Sequence, residues 1–229
     1  MSPEHFVLHG FLHIHHAMIR DGYRLAGACA AATTDDELGA LGRWYERFHG
    51  NLEDHHRAED DIYFPRLREL DAALAAKLDG LGEDHHEVDA ALAAVAQAFA
   101  NRDRAAAATT TAHLAELLDE HIKAEERLVV PATMRLMSTD EQRALEQGLQ
   151  KAAGISQIAF VLPWLIDGVR PHERGDLLKQ LPLPLRLMHA MFWRRRYARL
   201  SRPLAAGNAT AAPHLGGIIG RPTGASASP

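Results

Sequence analysis

The sequence predicts an all-α protein with four long helices followed by shorter ones. Three observations support this prediction. The chain of 229 residues is rich in Ala, Leu, Glu and Arg, which favour helices. Its apolar residues recur at steps of three and four and do not alternate as they would in strands. Segments typical of helix ends, such as TTDDE at 33–37, separate the periodic stretches.

The long helices are separated by proline, glycine and capping residues. Pro65 should bend or end the second helix and Pro131 the fourth, because proline lacks a backbone N–H. The glycines of LDGLGED, residues 78–84, should separate the second helix from the third. The predicted long helices cover about residues 3–31, 36–70, 80–100 and 104–137.

Shorter helices are predicted after residue 138. The first, at about 139–152, begins in the capping segment STDEQ. The second runs through Trp164, and the third covers LPLPLRLMHAMFWRRRYARL. From about Ser201 the chain is dominated by Ala, Gly, Pro, Ser and Thr, a composition typical of disorder. The predicted organisation is a helical domain at 1–137, a helical extension at 138–200 and a disordered tail at 201–229.

Composition excludes several classes of protein. The net charge of −5 argues against nucleic-acid binding, which usually requires a basic face. Cys29 is the only cysteine, so an intramolecular disulfide is impossible. No signal peptide is apparent, and the longest apolar run, IAFVLPWLI, is far shorter than the roughly 20 residues that cross a bilayer. We therefore expect a cytoplasmic protein without a transmembrane segment or a nucleic-acid partner.

The histidines are unusually numerous and are concentrated in the first half of the chain. There are 15, and the segment NLEDHHRAEDDIYFP at 51–65 combines two of them with several carboxylates. On each long helix, one histidine continues the apolar stripe that should face the core. Two of these histidines are followed four residues later by a glutamate on the same face. The inward-facing residues predicted in this way are His15, His55, Glu59, His85, His121 and Glu125.

These side chains are a plausible set of metal ligands. Burying Glu59 and Glu125 among leucines without a cation would cost several kcal/mol. Imidazoles and carboxylates suit iron, and more than one ion is plausible, whereas the lack of thiolates disfavours a structural zinc site. The alternative is a metal-free structural protein whose histidines form hydrogen bonds in the core. The neighbouring His16, His56 and His86 lie off the stripes, so we expect them at the solvent or the rim, or as further partners or ligands.

These motifs, in this order, resemble the hemerythrin-like (HHE cation-binding) family. The resemblance covers about residues 5–137, and the residues after it are similar to the C-terminal extension of some actinobacterial members. It implies an up-down-up-down four-helix bundle that holds two non-haem iron ions. Glu59 and Glu125 and an oxo or hydroxo group would bridge the ions, and the four histidines would be terminal ligands. The matching segments are HHAMIRDGYRLA from His15, HHRAEDDIYFP from His55, EDHHEVDAAL around His85 and HIKAEERLVVP from His121.

Two positions depart from the classical members of that family. Their last carboxylate lies five residues after the final histidine, which is Glu126 here, whereas the apolar stripe favours Glu125. Their third helix has a second inward histidine where this chain has Asp89. Asp89 or water would then occupy that position, and an open iron position disfavours reversible O2 storage.

Two functional hypotheses follow from the resemblance. The protein would react with O2, peroxide or nitric oxide, in detoxification (with possible catalase- or peroxidase-like activity) or in signalling. Alternatively, it would bind or sense O2 or iron without turnover, and the C-terminal helices would report the state of the site. The sequence identifies no protein partner. The basic run WRRRYAR at 193–199 could contact a membrane surface or an acidic partner, although a helix packed on the bundle with a solvated basic end is the expected arrangement.

Overall fold

The computed structural model describes residues 6–152, 155–169 and 174–211. All regular secondary structure in these ranges is helical, as predicted. The predicted capping segment is confirmed, because the Thr34 hydroxyl accepts a hydrogen bond from the Glu37 N–H and the Glu37 carboxylate accepts one from the Thr34 N–H. The helices are α1 (His9–Ala31), α2 (Asp35–Ala58), α3 (Phe64–Leu70), α4 (Ala75–Ala100), α5 (Arg104–Leu136), α6 (Thr139–Ala152), α7 (Ile155–Gly168), α8 (Arg174–Gln180), α9 (Leu183–Met188), α10 (Arg194–Ser201) and α11 (Asn208–Ala211).

A π-helical segment, Glu59–Tyr63, joins α2 to α3 without a break. Pro65 lies two residues after its end, and the chain remains helical to Leu70. Proline has no N–H to donate to the preceding turn of an α-helix. The wider hydrogen-bonding pattern of the π segment accommodates this loss, which explains why Pro65 does not end the helix. Segments of this kind are often found at functional sites, and this one begins at a predicted ligand.

The predicted boundary at 78–84 is wrong. The break lies earlier, at Asp71, whose side chain accepts a hydrogen bond from the Ala73 N–H and starts the next turn. The glycines of LDGLGED lie inside α4, where the buried Leu78 and Leu81 hold that stretch against the core. Pro131 also lies within a helix, since α5 continues to Leu136. Packing of an apolar face overrides the helix-breaking preference in both cases.

The four long helices form a bundle. The first contacts α5 and α2, and α4 also contacts α5 and α2, so that α1, α5, α4 and the α2–α3 helix form a closed ring. This arrangement confirms the predicted all-α bundle with additional C-terminal helices. Helix α7 packs on α1 and α2, where the indole of Trp164 contacts the ring of Phe48.

The interior contains two apolar clusters, and the predicted ligands lie between them. On α1, Phe11 belongs to one cluster and Met18 to the other, with His15 between them. The same change of cluster occurs around the predicted ligands on each of the other three long helices. The ligands therefore share one level of the bundle, and the clusters exclude water above and below it.

The C-terminal extension is tied to α1 by buried polar contacts. Asp21 accepts hydrogen bonds from the indole N–H of Trp164 at 2.7 Å and from Arg20 at 2.6 and 2.9 Å. At the other end of the helix, side chains of α6 accept hydrogen bonds from the backbone N–H groups of Val7 and Gly10. The extension thus contacts α1 on both sides of His15.

Part of the predicted disordered tail is ordered. Residues 201–211 form a 3₁₀ segment, Arg202–Gly207, and helix α11, and both pack on α1. Leu204 is fully buried there, and Gly207 lies so close to the carbonyl of Arg24 that a Cβ would not fit. Residues 212–229 lie outside the described residues. Among the helices that the structure describes, none has the length and apolar character needed to cross a membrane.

Candidate metal centre

One group of side chains, three buried and one partly buried, brings together α1, α2 and α5. His15 Nε2 lies 3.0 Å from His55 Nε2 and 3.3 Å from Glu125 Oε2. Glu59 Oε1 is 2.8 Å from His55 Nε2 and 3.6 Å from His15 Nε2. The potential ligand atoms of these four residues all lie within 4.8 Å of one another. We call His15, His55, Glu59 and Glu125 the two-histidine group.

A second group lies beside the first. It consists of His56, His85 and His121, all buried, with potential ligand atoms again within 4.8 Å of one another. We call it the three-histidine group. The rings of His56 and His85 are nearly parallel, and the ring of His121 meets that of His85 almost at a right angle.

The two glutamates face both groups. The second oxygen of Glu59, Oε2, lies 3.6 Å from His85 Nε2, while its Oε1 faces His55. The Oε2 atom of Glu125 lies 3.3 Å from His15 Nε2 and 3.9 Å from His121 Nε2. Each carboxylate is therefore placed to reach a cation in either group.

The buried polar atoms of the centre lack partners. Both oxygens of Glu59, both oxygens of Glu125 and Nε2 of His85 are buried without a hydrogen-bond partner among the described residues. The short contact between His55 and Glu59 does not have the alignment of a hydrogen bond, so it does not satisfy the carboxylate. Leaving so many groups unsatisfied would cost several kcal/mol. Bound cations would remove that cost, so these residues fit a metal site.

The charges in the two-histidine group are strongly coupled. Burial by itself would lower the pKa of His15, but the charge of Glu125 and contacts with Glu126 and Glu59 outweigh it and raise that pKa to about 10. Burial and the charge of Glu59 raise the pKa of Glu125. Burial opposes the ionisation of Glu59, yet His55 and His15 hold its pKa well below the usual range. Without a metal, a proton on His15 takes the place of a cation.

The three-histidine group has the opposite character. Burial and the neighbouring His85 lower the pKa of His56 to about 2 and that of His121 to about 3. Both imidazoles are thus neutral at ordinary pH, with a lone pair available for a cation.

Carboxylates outside the two groups orient two of the histidines. Nδ1 of His15 lies 2.9 Å from Glu126 Oε1, and Nδ1 of His85 lies 3.0 Å from Asp60 Oδ2. Each carboxylate is placed to accept a hydrogen bond from Nδ1–H and leaves Nε2 to face the centre, which is the usual support for a histidine ligand. Of the two alternatives at the end of the motif, Glu125 lies in the group and Glu126 lies outside it.

The structure brings all six predicted site residues together and buries His56 beside them. Of the two expectations for His56, the position at the solvent or the rim is wrong, because its side chain is only 5% exposed, and the role of a further ligand stays a prediction. Adjacent residues on a helix point about 100° apart. Because the two groups lie side by side, His55 faces one and His56 the other. The sequence signal was the doublet itself, next to a glutamate at the following turn.

The remaining alternatives lie outside the centre. Asp89 is half exposed and lies 3.7 Å from Nδ1 of His56, so it contacts a histidine of the three-histidine group from outside. His16 is half-buried and His86 is exposed, in agreement with the prediction for both.

Two aromatic side chains beside the centre were not predicted as part of it. The ring of Phe11 lies 4.1 Å from that of His15, and Tyr63 packs on Phe11 and forms a hydrogen bond with Thr133. Tyr63 follows Glu59 by four residues, which was the available signal.

A surface cavity leads to the three-histidine group. It has a volume of about 510 Å³, lies between α4 and α5, and reaches His121. Its charged lining residues are Asp84, Glu87, Glu120, Lys123 and Arg127. A small molecule could approach the centre by this route.

Histidines and glutamates that project from four helices to one level of their shared interior define a metal-binding four-helix bundle. The model of one family, the hemerythrin HHE cation binding domain, matches residues 8–133, which is more than half of the chain. The protein belongs to this family, and membership implies a cation-binding domain over the matched residues. Comparisons with curated proteins and with solved structures gave no match.

Proposed function

We propose that the protein binds two iron ions, one in each histidine group, and uses them to react with a small oxidant. The observation that carries the proposal is the position of Glu59 and Glu125, which are buried between the groups and lack other partners. A carboxylate so placed suits two ions better than one. Imidazole and carboxylate donors without a thiolate favour iron over structural zinc.

The donor set supports reactivity with an external molecule. The two-histidine group offers four residues and the three-histidine group offers three, with the glutamates shared. Two ions with about six positions each would keep positions open to an incoming ligand. The cavity at His121 gives a molecule of the size of peroxide, O2 or nitric oxide a path to those positions.

The surrounding residues would control the chemistry that iron supplies, which is transfer of electrons to the oxidant. Phe11 and Tyr63 keep bulk water from the two-histidine side. Glu126 and Asp60 hold protons on Nδ1 of His15 and His85, so the facing nitrogens keep their lone pairs. The cavity is lined by three acidic and two basic side chains, so it has no excess of positive charge to attract an anion, and it suits the neutral molecules O2, peroxide and nitric oxide alike. Peroxide is the oxidant that we would test first, because repeated turnover of peroxide separates the reactive protein from a sensor.

The network around Asp21 favours a second candidate, a sensor without turnover. Asp21 follows His15 by six residues on α1 and is fully buried against Trp164 of α7. A shift of α1 that accompanied a change in the ligands of His15 would be transmitted to the C-terminal extension. In that case, iron would bind but peroxide would not be consumed catalytically.

Iron content and peroxide consumption together test the proposal. Protein purified without added metal and then loaded with Fe(II) should hold about two irons per chain and should decompose peroxide over many turnovers. Iron binding with at most one peroxide consumed per centre would support the sensor instead. Folded protein that takes up no Fe(II) would refute both.

A matched pair of variants makes the test specific. Replacing the buried His85 by alanine should lower the iron content from about two per chain to about one, whereas replacing the exposed His86 should leave the content unchanged. The circular dichroism spectrum of each variant checks that the bundle is still folded. Equal loss of iron in both variants would contradict the assignment of ligands.

A further inference from the structure

Helix α9 continues through a π-helical segment, His189–Trp193, into α10, and this continuous helix has an apolar face turned to the solvent. The side chains on it are large and well exposed, and none of them belongs to either apolar cluster of the bundle. A continuous exposed face of this kind usually marks a surface of interaction. The exposed fractions are 61% for Leu183, 49% for Leu187, 37% for Met188, 51% for Met191 and 57% for Phe192.

This helix rests on the bundle through one narrow stripe. Its buried residues are His189, Trp193 and Tyr197, which follow one another at steps of four. The ring of Tyr197 packs against Phe160 of α7. Because the stripe occupies one side of the helix, the exposed leucines, methionines and Phe192 point away from the protein.

Arginines extend this face toward the C-terminus. Residues 183–202 contain six arginines and no Asp or Glu, although the chain as a whole has a net charge of −5. Arg194, Arg195, Arg196 and Arg199 are all exposed. A solvated helix end would explain the charges, but it would not explain five exposed apolar side chains directly before them. The combination of apolar and basic residues therefore requires an occupant that satisfies both.

We propose that this face, from Leu183 to Arg199, docks on an anionic membrane surface. Apolar side chains on an outward-facing helix can enter the boundary between headgroups and acyl chains, and neighbouring arginines can bind the anionic headgroups. The proposed attachment is therefore peripheral and needs no helix that spans the bilayer.

A second copy of the chain fits this face less well. In a symmetric dimer each patch meets itself, so the arginines of both copies would be brought close together. Residues 183–202 offer no carboxylate to neutralise them. An anionic lipid surface supplies that neutralisation everywhere along the helix.

Flotation with vesicles tests the docking on the full-length protein. Vesicles of phosphatidylcholine with about a third phosphatidylglycerol should bind the protein, and vesicles of phosphatidylcholine alone should bind it much less. Binding should weaken as salt rises, because each arginine at the surface is screened. Replacing Arg195 and Arg199 by serine should weaken partition roughly 30-fold.

Control variants separate this face from general charge. Replacing the exposed Arg43 and Arg47 on α2 by serine removes the same charge and should leave partition within about twofold. Replacing Met191 and Phe192 by serine should reduce binding without changing the helical circular dichroism signal, since both side chains are exposed.

Three results would overturn the proposal. The first is equal vesicle binding by the variant that lacks Arg195 and Arg199 and the control variant that lacks Arg43 and Arg47. The second is no vesicle binding together with a concentration-dependent dimer that the Met191 and Phe192 variant dissociates, which would make this face a contact between copies. The third is binding only after removal of residues 212–229, which would mean that the chain itself covers the face.

Discussion

The imidazole rings of His56 and His85 stack with their centroids 4.2 Å apart and their planes only 8° from parallel. Two protonated imidazoles would repel each other at this distance, and the low pKa of His56 is in part a result of its neighbour His85. The stack therefore holds a neutral His56 ready to bind a cation, although its sequence position suggested the rim.

Replacing His56 by alanine tests its place in the three-histidine group. Iron content should fall from about two per chain to about one, because the two-histidine group keeps all four of its residues. His16, another off-stripe member of a doublet, is half-buried and serves as the control, so its alanine variant should keep both ions. The iron content per chain of the two folded variants is measured by a colorimetric assay. Unchanged iron in the His56 variant would mean that His56 only packs against His85.

The two carboxylates at positions 59 and 60 should have different roles. Glu59→Gln keeps the shape but removes the charge and one oxygen facing the two groups, so both ions should be lost. Asp60→Asn leaves both histidine groups intact and weakens only the hydrogen bond that supports His85. The protein should therefore still bind two irons, while its affinity for iron falls about 10- to 100-fold. Competition with a chelator measures both. Two tightly bound ions in the Glu59 variant would show that this carboxylate does not hold them together.

Metal binding should release protons, and affinity should rise with pH. In the metal-free protein the pKa of His15 is raised to about 10, so at pH 7 its Nε2 carries a proton that a cation must displace. His56 and His121, with pKa values of about 2 and about 3, are already neutral and release none. Calorimetric titration in buffers of different ionisation enthalpy counts the protons. Affinity that does not change between pH 6 and pH 9 would contradict a protonated His15.

The stability of the metal-free protein should depend on the same groups in two opposite ways. The raised pKa of His15 contributes stability that is fully present below its unfolded value of about 6.5 and is lost as pH rises through about 10. The depressed pKa values of His56 and His121 act in the other direction, because the unfolded chain takes up protons first as pH falls below about 6.5. The free energy of unfolding of the His121→Gln variant, measured with urea, should therefore fall less between pH 7 and pH 5 than that of the parent protein. An equal loss in both would refute a neutral His121.

The contact between Asp21 and Trp164 should be important for stability but not for iron content. Asp21→Asn removes the nearest ionic partner of the buried Arg20 and leaves only Asp167 at 4.0 Å, so the free energy of unfolding should fall by about 3–5 kcal/mol. Asp167→Asn is the matched control, because that carboxylate is more than a third exposed and its loss should cost less than about 1 kcal/mol. Urea unfolding measures both variants. If Asp21→Asn lost iron while remaining fully folded, the network would also be part of the metal centre.

Several features could be predicted from residue spacing because they depend on a single helix. Histidines and glutamates four residues apart share a face wherever the helix lies, so Glu59 and Glu125 could be paired with His55 and His121 in advance. The capping residues at the start of α2 could be predicted for the same reason, since they bond to their own neighbours.

Other features depend on several helices at once. The boundary between α3 and α4 was misplaced because Leu78 and Leu81 find partners on other helices, and this packing outweighs the two glycines. Residues 201–211 were assigned to a disordered tail because nothing in their composition reveals that Leu204 and Gly207 fit against α1.

The sequence by itself determined that four helices each direct a histidine to the core, and that the acidic residues beside them would require a cation. Only the tertiary structure decided that these histidines form two adjacent groups, that His56 belongs to one of them, and that Glu126 and Asp60 support the ligands from outside. The physical reason is that periodicity defines the direction of a side chain relative to its own helix. Distances between side chains on different helices depend on how the helices pack, and metal binding is decided by those distances.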